Sequence, residues 1–594
     1  MIDHNNKNFI LAIVLSMAII FGWQYFYAVP IAEQARQEAT TAQPSTTTTT
    51  TSTAQVPGAA TAVTPVTRDQ ALASSQRLKI ETPELQGSIN LTGAQLDDLH
   101  LTQYRETIDP KSPTIVLLSP AGTPNAFFAE QGFVGATGTV ARLPDSKTVW
   151  QAPADAVLSV GKPVTLTWDN GAGLIFTRQI SIDDHFVFSV TQAVQNNSAA
   201  PVALIPYARV QRQDTPVIAG WWVFFEGMLG VLGDKLQEIN YSDVQGAKEP
   251  TRIDSQGGWL GFTDKYWAAV MIPDQSRAIS TSFLHQVQNG RDVYQTDYLA
   301  KDAIIIQPGA TGQYQDLLFA GAKVVETVQT IGEKYKIAKF DLMIDWGWFE
   351  FITKPMFYLL DFLNGIVGNF GIAILIATVL VKLAVFPLAN KSYASMSKMK
   401  KLQPEMLKLK ELYPDDKMKQ QQGMMELYKK EKVSPISGCL PVVVQIPVFF
   451  SLYKVILTSI ELRHAPFFGW VHDLSAADPT NLFTLFGLIP WSPPLFLVLG
   501  IWPILMGVTM WVQMRLNPTP PDPVQASLFN WMPVIFTFML GSFPAGLVIY
   551  WAWSNFLSIL QQSYIMKRHG VEIDLLGNIR DSLPFLKKKP AATT

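Results

Sequence analysis

The sequence predicts a polytopic α-helical membrane protein with six transmembrane helices and a large all-β domain outside the lipid. Three observations predict it. Of 594 residues, 48% are apolar and only 16% are charged, against about 25% charged in a typical soluble domain. The deficit is not spread evenly: it falls in one stretch from Asn8 to Val29 and in several more after Phe340. Between these, from Arg77 to Ala338, lie short β-branched or aromatic runs such as VTLTW (164–168) and FVFSVTQAV (186–194), punctuated by Gly, Pro, Asn and Asp. Such runs at close spacing read as an antiparallel sandwich.

The elements follow in order. Residues 1–30 form an N-terminal transmembrane anchor: the uncharged run after Lys7 is as long as the roughly 20 residues a bilayer needs, and it ends in Trp23, Tyr25, Phe26 and Tyr27, which suit the membrane–water interface. A cleaved signal would have a shorter apolar region. Residues 31–77 form a flexible Thr/Ala/Pro-rich tether; 39–67 carry no charge and no aromatic, so nothing there can bury a core. The β domain occupies 78–338. Residues 339–368 read as an amphipathic helix lying in the outer interface, broken at Pro355. The membrane core, 369–566, contains five apolar stretches at about 369–389, 438–460, 494–514, 529–542 and 546–566. The last two are joined only by Ser542-Phe543-Pro544-Ala545-Gly546, which demands a tight helical hairpin. A cytoplasmic helical hairpin fills 390–435, turning at Tyr413-Pro414-Asp415-Asp416, and a basic cytoplasmic tail runs through 567–594.

Charge sets the orientation. Residues 390–432 hold eleven lysines against six acids, the tail holds six basic residues, and 461–490 hold one arginine and three acids. Basic residues collect on the cytoplasmic side. Both termini and the hairpin are therefore expected in the cytoplasm, and in a bacterium the β domain is then periplasmic. The single cysteine, Cys439, excludes an intrachain disulfide framework and a multi-cysteine zinc site. A net charge of −2 excludes a generally basic nucleic-acid binder. His185 and His285 stand alone in strand-like surroundings, with no metal-ligand spacing and no nucleophile elbow.

The informative residue is Lys382, inside TVLVKLAVFPL and roughly 12 Å from the cytoplasmic end of its helix at 1.5 Å per residue. A charge near a helix centre costs about 2.5–3.5 kcal/mol on insertion. Either Lys382 snorkels to the headgroups or it faces a water-filled cavity. Tyr550, Ser554, Ser558 and Gln561 recur at steps of four, four and three, hence on one face of the last helix. Thr378 lies one turn before Lys382, and Gln445 sits between apolar residues of the third span. Such residues often only join helices, but a polar stripe facing a lysine favours a cavity. Lys454 lies toward the outer end of its span and is expected to pair outward. In the hairpin, Met396, Met399, Met406, Met418, Met424 and Met425 offer a soft apolar face, and the lysines a basic one. That pattern suits either simple self-packing or a landing surface for apolar segments and lipid headgroups.

The stretches VKLAVFPLANKSYASMSKMKKLQPE (381–405), LYKKEKVSPISGCLPVVVQIPVFFSLY (427–453), IELRHAPFFGWVHDLSAADP (460–479), PILMGVTM (503–510) and MPVIFTFMLGSFPAGLVIYWAWSNFLSILQQ (532–562) closely resemble the YidC/Oxa/Alb family of membrane protein insertases. The anchor, tether and β domain are similar to its Gram-negative form. The resemblance implies a β-supersandwich in the periplasm and a hydrophilic groove open to cytoplasm and lipid and closed outside. It places Lys382 where the family usually has arginine, with Thr378, Gln445 and Tyr550 at groove-lining positions, to which the polar stripe adds Ser554. It implies no enzyme, no cofactor and no metal, an inner-membrane location, nascent membrane proteins as clients, and the Sec translocon as partner. Ribosomes or membrane lipids are expected at the basic tail and loop. No GxxxxGK[ST] motif is present, so insertion would run without ATP. Rival readings are a proton-coupled carrier, which would want several intramembrane ionisable groups, a membrane-anchored sugar-modifying enzyme, and a passive scaffold indifferent to the charge at Lys382.

Overall fold

The computed structural model describes residues 66–217, 224–347, 349–414, 416–431, 440–485, 488–491, 498–517 and 523–570. The expected anchor, most of the tether, Cys439 and the tail beyond Gly570 lie outside the described residues.

The strands form two facing sheets, one of eleven strands and one of eight. Alternation does the sorting: in Leu174–Ile182 buried residues recur at every second position, which a pleated strand turns to one face. Nearly all pairings are antiparallel; Arg77–Glu81 with Val157–Leu158 is parallel. The long strand Val202–Gln213 sits mid-sheet, setting Arg209 opposite Glu130 on one side and opposite Asp297 on the other. Phe127 of one sheet meets Phe262 of the other edge to face at 5.7 Å. Arg178 crosses between the layers to donate to the carbonyl oxygens of Ala94 and Gln131, and its guanidinium covers Trp150 at 4.9 Å. The expected all-β domain is present. His285 bonds Asp292 at 2.8 Å and lies against Tyr294, a structural role.

Asp316 is fully buried, and the Tyr298 hydroxyl donates to it. Burial pushes its carboxyl up to about 7, against the opposing pull of Tyr298 and Arg178. Its value is thus raised above the unfolded one, so its stabilising contribution is full below about pH 4 and is lost as pH rises through 7. Thermal unfolding of the full chain in detergent is expected to show stability falling between about pH 4 and about pH 7, by up to about 1.4 kcal/mol per unit for this group. Asp316→Asn should reduce the slope between about pH 4 and about pH 7; an unchanged slope there would refute the assignment.

Past the sandwich, helix α1 (Val325–Lys334) leads to Phe340, which packs edge to face on Trp259 at 5.5 Å and on Phe319 at 5.9 Å. Helix α2 (Glu350–Val367) follows. Pro355 does not break it, contrary to the sequence expectation: the helix runs through, and the amide that proline lacks leaves the Phe351 carbonyl without its usual partner. Met356, Leu360 and Leu363 face inward, while Phe351, Phe362 and Ile366 are exposed.

Helices occupy each apolar stretch of the core: α3 (Phe370–Ala384), α4 (Phe386–Leu412), α5 (Lys417–Lys430), α6 (Leu440–Thr458), α7 (Ile501–Leu516), α8 (Pro523–Met539) and α9 (Ala545–Arg568). The stretch 369–389 is not one helix. It bends by 67° at Val385, because Pro387 cannot donate into the preceding turn but is well placed in the first turn of a new helix. The expected start near 494 is also too early, since 498–500 are not helical and Gly500 caps α7. Helix α8 begins earlier than expected and ends in a short 3-10 turn, Leu540–Ser542. Among the described residues no single helix is long and apolar enough to cross a membrane; α3 and α4 meet that test together. The tight turn before α9 is as expected: Ala545 and Gly546 donate backbone bonds to Ala476 and Leu474. The hairpin α4–α5 also forms where the pattern put it.

Candidate functional site

Helices α3, α4, α6, α7 and α9 enclose a cleft of about 850 Å³. All five expected groove residues, Lys382, Thr378, Gln445, Tyr550 and Ser554, line it. The reason is local periodicity. Thr378 and Lys382 are one turn apart on α3, and Tyr550, Ser554 and Ser558 descend one face of α9 in steps of four. The Lys382 ammonium donates to Ser558 Oγ at 2.7 Å, and Gln445 Nε2 donates to Ser554 Oγ at 2.9 Å. Tyr550 lies one turn before Ser554 on α9, and Tyr393 of α4 lines the same cleft. Thr378 Oγ1 donates back to the Ile374 carbonyl at 2.6 Å.

No acid is among the lining residues. The wall thus offers one cation and a set of hydroxyls and amides. Gln561 adds a buried Nε2 that has no partner among the described residues. Such an atom costs about 1–3 kcal/mol unless water or a guest meets it. Outside the lining residues, aromatic rings of α6, α8, α9 and the turn before α9 pack together: Phe449 meets Trp551 at 4.7 Å, Trp551 meets Phe536 at 5.6 Å, and Tyr453 meets Phe543 at 5.7 Å.

Several lining residues were not singled out from sequence: Tyr393, Gln513, Asn517 and Gln562. Gln513 and Asn517 are one turn apart on α7, a signal that was available; Gln562 bonds Asn517 at 3.0 Å. The hairpin methionines do not share one face. Met396 is buried and lines the cleft, while Met406 receives the Tyr428 hydroxyl at 3.7 Å. Met399 and Met424 are half-buried, and Met418 and Met425 are exposed. An expected single methionine surface is thus split, because α4 packs its inner face on α9 through Tyr393, Met396 and Ile565.

Lys454 pairs outward as expected. Its partner, Asp345 at 2.6 Å, comes from the segment joining the β domain to α2. Glu461 instead accepts the amide of Val325 at the start of α1.

Fold and site together define a helical membrane core with a polar, cationic cleft, carrying a β-sandwich on one side. Comparison with known proteins makes this specific. The family model for the YidC periplasmic domain matches residues 77–359, and that for the 60Kd inner membrane protein matches 362–572. The chain is 53% identical over 608 residues to the membrane protein insertase YidC of Bradyrhizobium diazoefficiens, covering 97% of this chain and 98% of that one. It is 53% identical over 597 residues to that of Rhizobium meliloti, covering 99% and 100%. Among solved structures, a YidC insertase crystal structure with its first transmembrane domain resolved matches at TM-score 0.34 and 18% identity, over 82% of this chain and 92% of that one. A galactose mutarotase related enzyme from Lactobacillus acidophilus matches at TM-score 0.30 and 10% identity, over 41% and 97%. Likenesses that low add nothing to the assignment. The chain belongs to the YidC family of membrane protein insertases. The family is not an enzyme family; it resides in the bacterial inner membrane with its β domain in the periplasm.

Proposed function

We propose that the chain inserts nascent membrane proteins by receiving their polar flank in the cleft beside Lys382. The observation that carries this reading is a cation among hydroxyls and amides, with no acid among the lining residues. A polar segment held there has a shorter apolar distance left to cross. Its apolar part then partitions into lipid along the outer faces of α6 and α8, where Ile446, Val534 and Phe538 are exposed. The drive is hydrophobic, at roughly 25 cal/mol per Å² of apolar surface removed from water, and needs no ATP.

In this reading six helices span the membrane: the anchor, α3, α6, α7, α8 and α9. Both termini and the hairpin α4–α5 lie in the cytoplasm, where the lysine excess belongs. The exposed Phe351, Phe362 and Ile366 of α2 lie in the periplasmic interface. Exposed Met418 and Met425 offer a first contact to a client leaving the ribosome, with which the basic segments associate. The Sec translocon takes part for larger clients.

Photo-crosslinking tests this. A stalled nascent membrane protein is expected to crosslink to probes at Lys382 and Gln445, with Met425 reached at shorter chain lengths. Crosslinks at Met425 but none at Lys382 or Gln445, at any chain length, would reject the cleft as the client's path.

A further inference from the structure

A second cleft opens on the opposite side of the core, between the β domain and the segment that follows α6. It has a volume of about 1120 Å³ and is lined by Arg105, Ile108, Pro110, Arg463, His464 and His472, among others. Arg463 is held in place: Nη2 donates to the carbonyl oxygens of Arg105 at 2.6 Å and Glu106 at 3.3 Å, and the guanidinium lies over Tyr266 and Trp267 at 5.6 and 5.7 Å. Arg105 donates Nη1 to the Ser112 carbonyl at 2.6 Å. Among the described residues, neither guanidinium forms an ion pair with a carboxylate. Arg68, Arg77, Arg209, Arg212 and Arg291, by contrast, each pair with a carboxylate. His464 sits in a left-handed backbone conformation, φ 59°, with Asp473 at 3.9 Å from its ring.

Two guanidinium groups fixed by carbonyl oxygens and rings, not by acids, keep donors free for an anion, and their planar forks match phosphate oxygens. The surroundings specify which anion. Helix α6 ends at Thr458 just before this segment, and the β domain is periplasmic, so the cleft opens at the outer membrane surface. The turn beside it exposes Phe468 and Trp470, side chains that settle at headgroup depth, and Ile108 adds exposed apolar surface inside the cleft. We propose that this cleft binds the phosphate of an anionic phospholipid of the periplasmic leaflet, with Arg105 and Arg463 as the phosphate ligands.

The test uses the full chain, purified in a mild detergent and titrated with phosphatidylglycerol, phosphatidylcholine or inorganic phosphate, with bound lipid counted by native mass spectrometry. Phosphatidylglycerol is expected to be retained about tenfold more tightly than phosphatidylcholine. Arg105→Gln should remove most of that preference and Arg105→Lys should keep part of it, and inorganic phosphate should not compete at matched concentration. Hydrogen exchange of residues 463–472 should slow with phosphatidylglycerol and not with phosphatidylcholine, a readout that needs no variant. Equal retention of the two lipids, retention unaffected by Arg105→Gln, or no change in exchange would overturn the proposal. Inorganic phosphate binding as tightly as the lipid would overturn the lipid as its source.

Discussion

Lys382→Glu abolishes insertion of clients with polar outer tails in proteoliposomes, Lys382→Ala lowers it by about tenfold or more, and Lys382→Arg retains it. The expectation follows from the wall around Lys382. With no acid to neutralise it, the ammonium is the cleft's only formal charge among the lining residues. At an effective dielectric near 20, unit charges about 4 Å apart interact by roughly 4 kcal/mol. An acidic client flank gains a good part of that at lysine and meets repulsion of the same order at glutamate. Arginine keeps the charge and adds a fork. Ser558→Ala is the control: it removes the 2.7 Å hydrogen bond but not the charge, and should change insertion only slightly. Undiminished insertion by Lys382→Ala, with the protein folded, would leave the passive scaffold as the better account.

Asp345→Asn destabilises the protein by about 3–5 kcal/mol. The Lys454 side chain is 3% exposed, and its ammonium lies 2.6 Å from the Asp345 carboxylate. Removing the carboxylate takes from the buried ammonium its 2.6 Å partner, which costs more than the pair itself contributes. Asp345 Oδ2 also accepts the Phe225 amide and Oδ1 the Gly347 amide; asparagine keeps an acceptor for only one of them, so the loss includes that hydrogen bond as well as the ion pair. The double variant Asp345→Asn, Lys454→Met should recover much of the stability, since neither charge is then buried alone. Melting in detergent measures all three proteins. A double variant no more stable than Asp345→Asn would show that the pairing is not the source of the loss.

Much of this was legible in the sequence, for identifiable reasons. Helical periodicity placed Tyr550, Ser554 and Ser558 on one face, and the chain does bring that face to Lys382. Strict alternation in segments such as Leu174–Ile182 announced the sandwich. What could not be read was long-range or geometric. Asp345 lies 109 residues before Lys454, and only the packing of the β domain onto α6 pairs them. The bend at Val385 depends on one proline that composition treats as another residue of an apolar run. The methionines were read as one set because spacing alone cannot say that α4 presses Met396 onto α9 while Met418 and Met425 face outward.

The ring layer of Phe449, Trp551, Phe536, Tyr453 and Phe543 bears on how such a protein can be tolerated at all. A polar hollow reaching into a bilayer threatens the electrochemical gradient on which the cell runs. In the proposed reading the way past the cleft meets these packed rings, where an ion or a hydrated proton would have to shed most of its water against largely apolar faces. On the proposed reading, a client is thinned into the membrane from one side with no wide aqueous path joining the two solutions. That separates insertion from pore opening, and lets the protein stay resident and idle without a gate.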